Sequence, residues 1–136
     1  PGGKLGRRLL VRVSDVMHIG KELPLVTESC SLAEALLEMS AKGLGMTAVV
    51  DEEYRLCGLF TDGDLRRALA AGADLRNARI LDLMTRNPRT IAAERLAAEA
   101  FQMMEAMRIN GLLVTDSDGR LVGVFNMHDL FKAGVV

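Results

Sequence analysis

Gly58-Leu59-Phe60-Thr61-Asp62-Gly63-Asp64 reads as a short apolar strand running straight into a helix N-terminus. A hydroxyl there is followed three residues later by a carboxylate. The same design returns 65 positions on as Gly123-Val124-Phe125-Asn126-Met127-His128-Asp129, with an amide in place of the hydroxyl. Working outward, Ala35 pairs with Ala100, Met39 with Met104, Asp51 with Asp116 and Leu65 with Leu130, all at the same interval of 65. Asp15-Val16-Met17 recurs as Asp82-Leu83-Met84 at an interval of 67, so the second copy is two residues shorter in the loop after the Met. Paired landmarks along most of the chain identify an internal duplication.

Each copy carries the same order of elements. In the first, Pro24-Leu25-Val26 is extended and Ser31-Leu32-Ala33-Glu34 forms a capping box. Leu32, Ala35, Leu36 and Met39 then follow at helical spacing, and Gly43 suits the left-handed residue that ends a helix. Met46 to Val50 and Leu56 to Phe60 are the strands of a hairpin around the polar turn at 51–55, and a second helix spans Thr61 to about Ala71, ended by Gly72. The second copy gives Arg89-Thr90-Ile91 extended and a helix from about Leu96 to Ile109, ended by Asn110-Gly111. Its hairpin turns at 116–119, and its last helix runs from Asp129 to about Ala133. Two βαββα units, each with an apolar sheet face it cannot bury alone, predict an α+β fold in which the sheets pack about a pseudo-two-fold axis.

Composition narrows the function classes. The 136 residues suffice for one well-buried domain or two small halves sharing a core, and 49% hydrophobic with 26% charged residues is ordinary for a globular chain. There is no Trp, so eight Met join the aliphatic residues in building the core; Met39, Met103, Met104 and Met107 fall at helical spacings. A net charge of −1 without a long basic block argues against nucleic-acid binding, and no apolar run approaches the length of a membrane span. Cys30 and Cys57 match no metal or redox spacing, the two histidines, His18 and His128, define no metal set, and cytoplasmic thiols are expected. No grouping of nucleophile and base is visible.

The paired units ending Gly-h-h-(Thr/Asn)-x-x-Asp, with h apolar, resemble a tandem cystathionine-β-synthase (CBS) domain pair, also called a Bateman module, over about residues 12–133. Pro1-Gly2-Gly3-Lys4-Leu5-Gly6-Arg7-Arg8, Asp15-Val16-Met17-His18, Phe60-Thr61-Asp62-Gly63-Asp64-Leu65-Arg66-Arg67 and the ending Ala133-Gly134-Val135-Val136 further resemble the C-terminal part of bacterial D-arabinose-5-phosphate isomerases. This likeness implies a linker stub at 1–11, left by a sugar-isomerase (SIS) domain, then CBS repeats at 12–72 and 73–136. The parent enzyme would interconvert ribulose 5-phosphate and arabinose 5-phosphate for synthesis of Kdo and lipopolysaccharide, and this stretch would be its inactive regulatory part. The expected partners are its own SIS domain, further copies of the chain and a nucleotide or nucleotide-sugar, with no required cofactor. Pathway position points to CMP-Kdo, and the family at large to adenine nucleotides.

The resemblance places one ligand site at Thr61 and Asp64 and the other at Asn126, His128 and Asp129. The base would lie against Leu25-Val26 and Met46-Thr47-Ala48 in one, and against Thr90-Ile91 and Gly111-Leu112-Leu113 in the other. The chemistry is apt: a helix N-terminus offers free N–H groups and a positive dipole end to phosphate, while an ionised Asp accepts both hydrogens of a ribose diol. Thr-x-x-Asp and Asn-x-x-Asp are equally serviceable as helix caps needing no ligand, contributing roughly 0.5–2 kcal/mol each. The alternative function is therefore a structural oligomerisation module without a ligand. Asn126 lacks the Thr methyl and is bulkier, which favours Thr61 and Asp64 as the working pair.

Overall fold

The structure, a computed structural model, describes residues 9–136, and the proposed stub at 1–11 falls largely outside them. The first copy comprises α1 (Val13–Val16), a 3-10 turn (Gly20–Glu22), β1 (Leu25–Thr27), α2 (Leu32–Lys42), β2 (Met46–Val50), β3 (Leu56–Thr61) and α3 (Asp62–Ala70). The second comprises α4 (Ile80–Leu83), β4 (Thr85–Arg86), β5 (Thr90–Ile91), α5 (Ala97–Met107), β6 (Gly111–Thr115), β7 (Leu121–Asn126) and α6 (Met127–Lys132). One sheet has the order β1-β2-β3-β4 and the other β5-β6-β7, with β1 and β5 parallel to their neighbours and the hairpins antiparallel.

The core forms three layers. Between the sheets, Met46, Ala48 and Val50 of β2 meet Leu113, Leu121 and Val124 of the second copy. The alternate residues face outward: Val49 and Phe60 pack with Leu32, Ala35 and Met39 of α2, and Leu112, Val114 and Phe125 pack with Ala97, Ala100 and Met104 of α5. This period-2 alternation is what a sheet covered on both faces requires. The hairpin tips close on each other near the pseudo-two-fold axis, where Leu56 N–H donates to Gly119 C=O (3.1 Å) and Leu121 N–H to Tyr54 C=O (3.0 Å).

The capping boxes form as expected at Ser31/Glu34, Thr61/Asp64 and Asn126/Asp129, and Gly43 ends α2 at φ 70°. The last helix begins at Met127 rather than Asp129, because Asn126 is its cap and Asp129 closes the first turn. In α5 the left-handed residue is Arg108 (φ 56°), not Asn110-Gly111, and Gly111 opens β6 instead.

Chain order alone does not reveal that the copies exchange their leading segments. Val13 of α1 lies in the core of the second copy beside Ile91, Ala97 and Phe125, whereas Ile80 and Met84 lie in that of the first with Leu32 and Phe60. Matching backbone bonds hold the exchange: Ala97 N–H donates to Val11 C=O (2.8 Å), and Leu32 N–H to Ala78 C=O (3.0 Å). Strand β4 thus extends the first copy's sheet along β3, while its counterpart at His18 makes one antiparallel bridge to Val124.

Candidate functional site

A cleft of about 940 Å³ opens where the α3 N-terminus, the exchanged segment after β4 and the start of β6 converge. Thr61 is the α3 cap: its Oγ1 accepts from Asp64 N–H (3.2 Å), and its own N–H donates to Asp64 Oδ2 (3.0 Å). Asp64 is 8% exposed. It further accepts from Thr61 Oγ1–H (3.1 Å), from Thr85 Oγ1–H (3.1 Å to Oδ1, 3.2 Å to Oδ2) and from Arg67 (2.7 Å). Hydroxyl donors rotate about one bond, so Thr61 and Thr85 can yield the carboxylate to an incoming diol while the Thr61 N–H stays. Arg67, 73% exposed at its side chain, can swing from Asp64 toward an anion, and the buried carboxylate then keeps the Thr61 N–H and whatever hydroxyls face it.

The cleft collects cations. Arg66, Arg67, Arg89 and Arg108 line it with Asp62 and Asp64 as the opposing charges. Arg66, Arg89 and Arg108 make no ion pair among the described residues. Walls with an excess of one sign of charge, here four Arg against two Asp, concentrate counter-ions, here small anions.

Of the residues singled out from sequence, Met46, Thr61, Asp64, Gly111, Asn126 and His128 line this cleft. Leu25 packs between the sheets and Val26 against the α2 layer, while Thr47 and Ala48 are buried within β2. Ile91 and Leu112 belong to the second copy's outer core, and Thr90 pairs with Leu113. Asp129 is absent from the cleft wall: its Oδ2 accepts from Asn126 N–H (2.8 Å), and its Oδ1 is held by His18 Nε2 (2.8 Å). His128 is exposed, its ring stacked on Phe131 with centroids 6.5 Å apart.

Sequence reasoning passed over Thr85, Asn87, Arg89 and Arg108, all on the cleft wall. Thr85 carries a readable signal, since it follows Asp82-Leu83-Met84 as His18 follows Asp15-Val16-Met17. Arg108 corresponds to Gly43 at the interval of 65, so the second copy places an Arg where the first has a left-handed Gly. No group of three or more His, Cys, Asp or Glu suited to a metal occurs among the described residues. None of their helices is long and apolar enough to cross a membrane.

Comparison with known proteins agrees with this architecture. The CBS domain family model matches residues 13–71 and 80–135. The chain is 57% identical over 136 residues to an arabinose 5-phosphate isomerase KdsD of Pseudomonas aeruginosa and 48% identical to that of Escherichia coli K12. In each case all of this chain is covered, with 42% and 41% of the relative. The chain thus spans about two fifths of the length of the curated relatives it matches. Among solved structures, CBS domain protein PAE2072 from Pyrobaculum aerophilum, complexed with AMP, superposes with a TM-score of 0.81 at 21% identity, covering 92% of this chain and 95% of that one. The CBS domain pair of protein MJ0100, in complex with 5′-methylthioadenosine and S-adenosyl-L-methionine, gives a TM-score of 0.77 at 26% identity, covering 91% and 99%.

Proposed function

The chain belongs to the CBS domain family, and from that premise we propose that it is the ligand-sensing part of a D-arabinose-5-phosphate isomerase. It takes a nucleotide or nucleotide-sugar in the cleft at Thr61 and Asp64 and passes occupancy to a sugar-isomerase domain. The observation that carries this reading is the convergence of a diol-accepting carboxylate, a helix N-terminus and unpaired arginines on one cavity. Asp64 holds the ribose hydroxyls, the α3 N-terminus and Arg67 face the phosphate, and Met46 and Gly111 wall the base. Likeness over the whole chain to arabinose 5-phosphate isomerases supports the parent activity, a cytoplasmic setting and a place in Kdo and lipopolysaccharide synthesis. The nucleoside ligands of the MJ0100 pair support the ligand class. CMP-Kdo and the adenine nucleotides are the two candidates, and a ligand regulates only by binding one arrangement of the module better than another.

A structural role in holding copies of the chain together is the second reading, favoured by large apolar side chains left exposed on three helices. Leu37 on α2 is 73% exposed, Leu69 on α3 47% and Phe131 on α6 65%. The two roles separate in one experiment. Melting is followed with AMP, ADP, ATP, CMP and CMP-Kdo; a ligand at 100 times its Kd adds about 2.7 kcal/mol, roughly 5–10 °C for a chain of this size. Asp64→Ala should abolish the shift. No shift with any of the five leaves only the structural role.

A further inference from the structure

The two motif carboxylates, Asp64 and Asp129, are held by different chemistry. Asp64 faces the cleft, and its partner from the exchanged segment is the Thr85 hydroxyl. Asp129 is turned from the cleft, and the same position of the other exchanged segment supplies an imidazole, His18, which also does not line the cavity. His18 Nε2 lies 2.8 Å from Asp129 Oδ1, and Nδ1 lies 2.7 Å from Glu22 Oε1. Ionised carboxylates only accept, so a ring flanked by two of them carries a hydrogen on each nitrogen and is an imidazolium. The titratable groups bonded to it are Glu22 of its own segment and Asp129 of α6.

A diol reaching Asp129 has to displace a ring, break two charge-assisted bonds and leave a half-buried carboxylate without its cation. At Asp64 it has to turn the Thr61 and Thr85 hydroxyls and displace Arg67, whose 73% exposed side chain swings into solvent, whereas the His18 ring is held at both nitrogens and only 24% exposed. The asymmetry is a property of side chains, since the backbone around the two motifs is duplicated down to the capping boxes.

We propose that His18 closes the copy-two position by clamping Asp129 to Glu22, leaving the module one working ligand position, at Asp64. His18 is thus a positioning residue that sets the stoichiometry of the module and joins α1 and its following turn to the opposite copy. The ligand half of this inference rests on the reading given under Proposed function; the clamp does not.

Two measurements on the 136-residue chain test it. Calorimetric titration with AMP and with CMP-Kdo should give one equivalent for the wild type, none for Asp64→Ala, and two for His18→Thr, which copies Thr85. Two equivalents in the wild type, or an equivalent retained by Asp64→Ala, overturns the single position; one equivalent in a folded His18→Thr overturns its closure by His18. Nitrogen-15 NMR of the His18 ring, without ligand, should show both nitrogens protonated at pH 6, with deprotonation moving to lower pH in Asp129→Asn. An unchanged titration in that variant overturns the clamp. If neither probe binds any form, the ligand reading of the cleft and the single working position both fail, and the NMR result alone decides the clamp.

Discussion

His18 reaches from the first repeat to Asp129 of the second, Nε2 to Oδ1 at 2.8 Å, across 111 residues of sequence. Burial by itself lowers the pKa of His18, but hydrogen bonds to Glu22 and Asp129 and the charges of both outweigh it, so the value stands above its ordinary 6.5. A base whose folded-state pKa is raised stabilises the fold fully below its unfolded value. That stability is lost as pH rises through the folded-state value. Between pH 6 and pH 9 the wild type should lose about 0.5–1 kcal/mol more than His18→Thr, the scale of a partly exposed ion pair. Urea unfolding at each pH, compared between the two proteins, measures the difference; parallel profiles would remove His18 from the stability of the exchange.

Gly58 and Gly123 are where the exchanged methionines cross the strands. A Cβ on Gly58 would stand 2.5 Å from Met84 Sδ and 2.8 Å from the Thr85 carbonyl oxygen; on Gly123 it would stand 2.5 Å from Met17 Sδ. A methionine can shift, and a backbone carbonyl bonded into a sheet cannot easily do so. Gly58→Ala should destabilise by roughly 2–3 kcal/mol and Gly123→Ala by roughly 1–2 kcal/mol. Denaturant midpoints with unchanged m-values would confirm that order.

The same crossings mark the limit of what the sequence discloses. Strand and helix periodicity is a local property, and the duplication multiplied it, so the hairpins, the capping boxes at Ser31, Thr61 and Asn126 and the face-to-face sheets were all readable. Exchange of α1 and α4 was not, because nothing local to Asp15-Val16-Met17 says which of two similar cores will receive it. A glycine inside an apolar strand does signal close approach of another group, and Gly58 and Gly123 carried that signal without naming the visitor. Arg108 was hidden for a different reason: Asn110-Gly111 is the stronger helix-stop signal by composition, and the strained residue comes two positions earlier.

Arg108 holds φ 56° at the end of α5, where its counterpart Gly43 holds φ 70° without a side chain to crowd. A left-handed L-residue costs about 1–2 kcal/mol and glycine loses about 0.5–1 kcal/mol through the unfolded chain, so Arg108→Gly should stabilise by roughly 0.5–1 kcal/mol. The same change removes a cation from the cleft wall. Anion binding should therefore weaken, most visibly at low salt, while the melting temperature rises by a few degrees. A variant that melts lower, or binds phosphate-bearing ligands unchanged, would contradict the view that the strained Arg is kept for its charge.

Both thiols should be slow to react. Burial, helped by the Glu34 charge, pushes Cys30 up to about 11, and burial, a bond to Glu28 and the charges of Glu28 and Asp51 push Cys57 up to about 11 against the opposing Arg86. Only the thiolate attacks, and at pH 8 a group titrating near 11 is ionised at about one part in 10³, against roughly a quarter for an ordinary thiol. Cys57 is only half-buried, so access alone does not protect it; the raised pKa does, set first by burial and then by Glu28 and Asp51. Iodoacetamide at pH 8 should therefore label the native chain at Cys57 roughly 100-fold more slowly than the unfolded chain. Glu28→Gln should speed that labelling while leaving Cys30 unaffected, and equal rates in native wild type and variant would show that exposure, not charge, governs the site.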